Sequence, residues 1–426
     1  MIKGQSFKKA AWVLKNEGPI SFGKKSVKVA ISKVVKEKHH RLKTSDEYNY
    51  LSNTVFQITE KDILKSKKVT SGEIAKVSSA LWFLPYFKHI TFGGIFTILR
   101  SMEYFAKQGV KTTIIIYDNK YLDLKKTKAE ISKHFPGLSD VEIMTCDLER
   151  QSLDELPHVD IAFATIWMSA YFLLKYNNTK RKYYFIQDYE PLFYQAGSMY
   201  ALAESTYRFG FTGVVNTPGL LWSVNQRHAQ EGVSFVPAVD KRYYYPFKKK
   251  ETKKVKIFFY ARPGNPRNAF ELGVLIIQDL IKKYGHRIEV VTAGADWDEA
   301  DYGLKGLIIN KGLLGSLEEV GDLYRSCDIG FVFMLSKHPS YQPFEFMACG
   351  MATVTNRNED NLWLFRDREN CLLAEPSPAD MAEKISILVD SPALRKKIAK
   401  EGQRSINFDW DTELQKIWDY IKISGR

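Results

Sequence analysis

Asp328-Ile-Gly-Phe-Val-Phe-Met334, then His338-Pro339-Ser340-Tyr341-Gln-Pro343-Phe-Glu345-Phe-Met-Ala-Cys-Gly350, then Ala352-Thr-Val-Thr355, is the stretch that decides the fold. The first run is short and apolar, as a strand covered on both faces of a parallel sheet must be. Pro343 opens a helix, because its fixed φ and missing N–H suit a first turn. The last run is a second strand. A strand, loop, helix and strand in this order predict an open α/β sheet, whose ligands bind where strands end and helices begin. Glu345 falls in the first helical turn. A carboxylate there accepts from sugar hydroxyls beside backbone N–H groups suited to phosphate. It also has an ordinary reading, since an acidic group in that turn favours its own helix by about 0.3–1 kcal/mol.

Working outward, the same alternation begins at Val255-Lys-Ile-Phe-Phe-Tyr260 and continues through a helix near 268–284, strands near 288–292 and 307–309, and a helix over 317–325. Upstream of a Pro-containing, lysine-rich break at 243–251, strands are expected near 77–83, 112–117, 141–145, 161–165, 183–186, 213–216 and 234–236, with helices such as 95–108 between most of them. The pattern predicts two doubly wound, Rossmann-like α/β domains, 76–245 and 246–405, facing a cleft. An N-terminal helical extension over 1–75 precedes them. A last helix, 406–426, carries Trp410, Leu414, Ile417, Trp418 and Ile421 on one face and is expected to pack back across the domains.

The chain has 426 residues, 45% of them hydrophobic, which suits two or three domains and excludes a disordered protein. Its net charge of +13 is uneven: residues 1–70 hold 16 Lys/Arg against 6 Asp/Glu, +10 of the excess. In that arm Val27, Ile31, Val34 and Val35 recur at helical spacing among Lys24, Lys25, Lys28, Lys33, Lys36 and Lys38. Such a helix suits an anionic membrane surface, or packs by its valines onto the body. Nucleic acid is disfavoured, because no aromatic residues interleave the lysines and no zinc or helix-turn-helix signature occurs. Cys146, Cys327, Cys349 and Cys371 lie far apart, against a disulfide framework or a zinc cluster. No basic-then-apolar leader opens the chain, and the longest apolar run, 80–87, is well short of the roughly 18 residues that cross a bilayer. The expected location is the cytoplasm.

Three further segments fall at predicted strand ends. Thr91-Phe-Gly93-Gly94-Ile95 opens a helix, and paired glycines let backbone approach a ligand while leaving the helix N-terminus open to an anion. Tyr260-Ala-Arg262-Pro-Gly-Asn-Pro-Arg267 places Arg262 just past a strand, where a guanidinium grips diphosphate bidentately. Phe185-Ile-Gln187-Asp188-Tyr189-Glu190-Pro offers donors and acceptors for a polyhydroxylated ligand, with Asp188 or Glu190 as a candidate base. The alternative for each is a tight turn, a surface arginine or loop packing. His338 and His158 lack partners at metal spacing, no Asp-x-Asp pair stands at a strand end, and no metal site or cofactor is expected.

These segments, with Asn216-Thr-Pro-Gly-Leu220, Val236-Pro-Ala-Val-Asp240 and Leu317-Glu-Glu319, resemble GT-B glycosyltransferases of family 4, and more narrowly rhamnosyltransferases of the WsaF type. The resemblance covers about 76–426 and leaves the basic arm out. It implies an N-terminal acceptor domain, a C-terminal nucleotide-sugar donor domain, and retaining transfer of a sugar, in the first instance L-rhamnose from dTDP-L-rhamnose, to a glycan or lipid-linked glycan. UDP- or GDP-sugars are alternative donors, and a non-catalytic nucleotide-sugar or glycan-binding subunit is the alternative function. Family 4 enzymes carry two glutamates eight positions apart. Glu345 matches the second, which holds the ribose, whereas the first falls on Lys337. WsaF-like chains resemble this one in placing His338-Pro339-Ser340-Tyr341 there. The implied donor contacts are thus Gly93, Gly94, Arg262, Lys311, His338, Pro339, Ser340, Tyr341 and Glu345; the acceptor contacts are Gln187, Asp188 and Glu190. The resemblance leaves the catalytic base unassigned: Asp188 is a candidate, with orienting the acceptor as its alternative role. The enzyme is expected at the inner face of the cell membrane.

Overall fold

The computed structural model describes residues 54–69, 74–88, 90, 93–119, 121–146, 152–247 and 253–424. Contacts divide the chain into two units, 1–59 and 60–426. In the first, the described part is a single 3-10 turn, Thr54–Phe56. The basic amphipathic segment expected around 24–38 lies outside the described residues.

The second unit holds two parallel sheets. The first contains β1 (Ser79–Leu84), β2 (Lys111–Ile116), β3 (Glu142–Thr145), β4 (Val159–Ala164), β5 (Thr179–Ile186), β6 (Thr212–Asn216) and β7 (Gly232–Phe235), in spatial order β3-β2-β1-β4-β5-β6-β7. The second contains β8 (Val255–Tyr260), β9 (Ile288–Ala293), β10 (Ile309–Asn310), β11 (Ile329–Val332), β12 (Ala352–Asn356) and β13 (Leu372–Ala374), in order β10-β9-β8-β11-β12-β13. Both are doubly wound. The α-helices, in chain order, are α1 (Glu60–Val69), α2 (Gly93–Lys107), α3 (Leu124–His134), α4 (Trp167–Lys175), α5 (Ser198–Ser205), α6 (Pro218–His228), α7 (Phe270–Tyr284), α8 (Leu317–Ser326), α9 (Gln342–Ala348), α10 (Pro378–Asp390), α11 (Pro392–Ser405) and α12 (Trp410–Ser424).

The central strands are mostly apolar because helices cover both faces. Every residue of β4 and of β11 is buried. Across the central pair of each sheet, Trp82 stacks on Phe163 with centroids 3.8 Å apart, and Phe259 on Phe331 at 4.7 Å. α1, expected within the basic extension, packs on the first lobe: the buried Lys182 ammonium donates to Ser66 Oγ at 2.9 Å and to Leu174 O at 3.0 Å. α12 also returns to the first lobe. Leu414, Ile417, Trp418 and Ile421 are buried in that lobe's core, with Trp418 against Phe105 at 5.3 Å. Glu413 accepts from the Val236 N–H at 2.9 Å. Burying each of those side chains contributes about 1.5–3 kcal/mol before conformational entropy is charged.

Reversal of strand order makes a crevice between β1 and β4 in one lobe and between β8 and β11 in the other. Topological switch points of this kind are where open α/β sheets bind ligands.

Candidate active site

The loops leaving β8 and β11 carry Arg262 and His338-Pro339-Ser340-Tyr341. The second loop is built by asparagines: Asn356 accepts from the Met334 N–H at 2.6 Å and donates to the Met334 carbonyl at 3.1 Å, and Asn358 donates to the Met334 carbonyl at 3.0 Å and to that of Ser336. The loop is thus tied to the end of β12 before it turns into α9. Ser340 takes φ +60°, unusual for a side-chain-bearing residue.

Buried His338 accepts the Ser340 N–H at Nδ1, 3.0 Å away. Desolvation, with a smaller push from Arg267, brings its pKa down to about 3. The imidazole is therefore neutral with its proton on Nε2, and that buried donor has no protein acceptor. Tyr341 crosses to the first lobe. Its hydroxyl lies 2.6 Å from Thr97 Oγ1 and accepts from Asn216 Nδ2 at 3.4 Å. Its ring rests on Gly93, where a Cβ would come within 3.1 Å of it. Gly94 faces the Gln187 amide in the same way, at 3.3 Å. The close approach that two glycines announce is made, in this structure, by side chains of the protein.

Glu345 is half-buried, with the Tyr244 and Tyr324 hydroxyls hydrogen-bonded to it. Burial drives its carboxyl up to about 7, and the two phenols oppose the shift. Arg262 reaches only the Tyr260 hydroxyl, at 3.4 Å, and among the described residues no carboxylate pairs with it. Lys311 is exposed past β10, next to Gly312, whose carbonyl accepts from Gly294 N at 2.9 Å. Lys337, standing where the wider family has its first glutamate, pairs with buried Asp360 at 2.7 Å.

On the opposite wall, Gln187 Oε1 and Asn216 Oδ1 are buried without partners. Asp188 meets the second lobe: Arg267 Nη1 donates to its Oδ2 at 2.7 Å, and Ser336 Oγ to its Oδ1. Glu190 corrects the sequence expectation of an acceptor contact. Its carboxylate is buried, taking the Trp167 N–H at the start of α4 and the Tyr184 hydroxyl at 2.9 Å. Burial pushes its pKa up to about 8. Sequence reasoning placed the motifs at strand ends, with Asn216 opening one of them but given no role, and missed Thr97, Ser336, Tyr244 and Tyr324. These join the site from elsewhere in the chain, and no local pattern marks them.

Two Rossmann-like lobes with their switch points turned to a common cleft define a GT-B glycosyltransferase fold. Residues 86–216 match the WsaF N-terminal domain and residues 255–386 the WsaF C-terminal domain. The chain belongs to the WsaF family of GT-B glycosyltransferases. It is 41% identical over 353 residues, 82% of its length, to the O-antigen biosynthesis protein RfbC of Myxococcus xanthus, of which it spans 27%. Among solved structures it is similar to Anabaena Alr3699/HepE in complex with UDP and glucose (TM-score 0.59, 15% identity, 81% of this chain and 100% of that one). It is also similar to a point mutant of S. aureus TarM in complex with fondaparinux, alpha-GlcNAc-glycerol and UDP (TM-score 0.61, 11% identity, 82% and 100%).

Proposed function

We propose that this chain is a retaining glycosyltransferase that moves L-rhamnose from dTDP-L-rhamnose onto a growing cell-surface polysaccharide. The observation that carries the reading is an unpaired guanidinium, Arg262, on the loop after β8 and a half-buried carboxyl, Glu345, in α9 beyond the β11 loop. An uncompensated cation at a strand end suits the diphosphate, and the carboxyl suits a pentose hydroxyl, which in dTDP is the 3′-OH of the deoxyribose. The name of the M. xanthus relative supports a glycan pathway.

In this mechanism the protein's main task is to stabilise charge developing on the leaving diphosphate. Arg262 serves that role with Lys311 as its assistant. His338 Nε2–H, fixed in tautomer, donates to a donor oxygen. Pro339, Ser340 and Tyr341 shape the sugar pocket, and Gly93 and Gly94 allow the walls to meet there. Gln187 and Asp188 face the acceptor side. The acceptor hydroxyl attacks on the face the nucleotide leaves. No protein nucleophile is invoked.

Incubation with dTDP-L-rhamnose and a rhamnosylated acceptor should release dTDP, and Glu345→Ala or Arg262→Ala should abolish the release. Robust turnover in both variants excludes the assigned site. A UDP-sugar is the competing donor, because HepE and TarM were solved with UDP; parallel assays with UDP- and GDP-sugars decide. Binding of dTDP without transfer to any acceptor would favour a non-catalytic subunit instead. We also propose that the basic arm touches anionic lipid at the inner membrane face. Among the described residues no helix is long and apolar enough to cross a membrane. Removing residues 1–53 should then lower liposome binding while dTDP affinity survives.

A further inference from the structure

Across the cleft the lobes share a charged contact at Asp188, which sugar transfer, as set out above, uses only as a wall of the acceptor side. Asp188 leaves the end of β5 with its carboxylate engaged. Its Oδ2 takes Arg267 Nη1 at 2.7 Å, and its Oδ1 takes Ser336 Oγ and the N–H of Tyr189, the latter at 2.7 Å. Arg267 and Ser336 both belong to the second lobe. The guanidinium of Arg267 also lies over the Phe193 ring, 4.0 Å from its centroid. A side chain that starts in one lobe is therefore clamped between an anion and an aromatic face of the other.

Both ends of the clamp are themselves held. The Asn358 amide donates to the Ser336 carbonyl. The Arg267 N–H donates to Asn265 Oδ1 at 3.3 Å. On the first lobe, Tyr207 accepts the Glu190 N–H at 3.1 Å and donates to the Asp188 carbonyl at 3.3 Å. Three of the roughly four acceptor positions of this carboxylate are taken by groups of the protein, which suits a positioning role.

We propose that Asp188 is a positioning residue: with Arg267, Ser336 and Phe193 it forms an interlobe latch that sets the separation of the two lobes, and the latch must release for a nucleotide to enter. The first part stands on geometry alone, and the second rests on the reading of the cleft as the donor site.

The test uses the full chain with cysteines introduced at exposed Lys125 on α3 and Lys282 on α7, because all four native cysteines are buried. Spin labels at these positions report lobe separation by dipolar electron resonance. Asp188→Asn and Arg267→Gln should each move the distance distribution to longer values, and the double variant should move it no further than either alone. Ser336→Ala should give a smaller shift in the same direction, and it keeps the test alive if a charge variant does not fold. In stopped flow, Asp188→Asn should bind dTDP about tenfold faster than the unmodified chain. Unchanged distributions in Asp188→Asn and Arg267→Gln overturn the latch. Longer distances with an unchanged dTDP association rate overturn its gating of entry. If no variant, nor the unmodified chain, binds dTDP, the functional reading fails while the distance result still decides the latch.

Discussion

Gly219, in the first turn of α6, lies against the Asp360 backbone of the other lobe, so Gly219→Ala is a direct perturbation of the lobe junction. A Cβ at 219 would stand 2.7 Å from the Asp360 carbonyl carbon, overlap its oxygen, and come within 3.1 Å of Trp363 Cδ1. An ordinary carbon–oxygen contact is about 3.3–3.6 Å, so the overlap with the carbonyl oxygen sets the demand and the two backbones must part by roughly 1.5–2 Å. Neither side has slack. Thr217, which caps α6 by accepting the Leu220 N–H, is buried and already at φ +85°. The Asp360 N–H donates to Asn358 Oδ1 at 3.2 Å, and its carboxylate is paired with Lys337. Helix propensity taken alone predicts that alanine stabilises the protein by about 1 kcal/mol. Overpacking costs about 1–3 kcal/mol, so a net loss is expected. The catalytic effect is larger, because a misplacement of about 1 Å at a reacting geometry costs on the order of 100-fold. We therefore expect kcat/KM for sugar transfer to fall about 10- to 100-fold while the denaturant midpoint drops only slightly. A raised midpoint with unchanged kcat/KM would refute the claim that this junction sets the cleft.

Three further outcomes follow from the site. With its pKa near 7, Glu345 gains its charge as pH rises, so calorimetric dTDP affinity should increase from pH 6 to 8, and the trend should vanish in Glu345→Gln. Glu190 has a folded pKa raised to about 8 against an unfolded value of about 4.3. The native state then holds more protons between these values, and stability falls as pH rises through that window. Glu190→Gln should remove this part of the slope in thermal melts from pH 5 to 9, and an identical slope would count against the burial argument. Tyr341→Phe loses the hydroxyl that meets Thr97, at a cost of about 0.5–1.5 kcal/mol in chemical denaturation. Thr97 keeps its bond to the Gly93 carbonyl, so Thr97→Val in the same background should add less than it does alone.

The sheets were legible because their strands are nearly unbroken apolar runs. Val255–Tyr260 coincides with β8 in both ends, and α9 follows β11 as the proline at 343 indicates. β13, only three residues long, offers too little pattern to read. Placement of Arg262, His338 and Glu345 was legible for a related reason: each stands a fixed distance past a strand. What those residues touch was not. Asp188 and Arg267 lie 79 positions apart, and Thr97 and Tyr341 lie 244 apart. Such pairs are products of docking one lobe on another. The glycines at 93 and 94 illustrate the limit, since a glycine signals that something comes close without saying what. Glu190 shows it from the other side: an acidic residue in a polar loop read as a contact for substrate, yet its loop turns it inward onto the N-terminus of α4.

Several unfavourable features of the structure line the cleft. Thr217 at φ +85° and Ser340 at φ +60° each cost about 1–3 kcal/mol, and one is β-branched. Gln187 Oε1, Asn216 Oδ1 and His338 Nε2 are buried without partners, and each such atom costs about 1–3 kcal/mol. Arg262 carries a charge that no carboxylate answers among the described residues. None of these groups improves the free protein. Hydrophobic replacements at Gln187 or His338 should therefore raise the unfolding midpoint while weakening nucleotide-sugar binding, which is the reverse of what a purely structural role predicts. The contacts that hold the lobes, at Tyr341, Asp188 and Gly219, surround the same groups. A cleft that is strained, short of hydrogen-bond partners and locked from three sides is one whose polar groups find their partners on a ligand that must first unlock it.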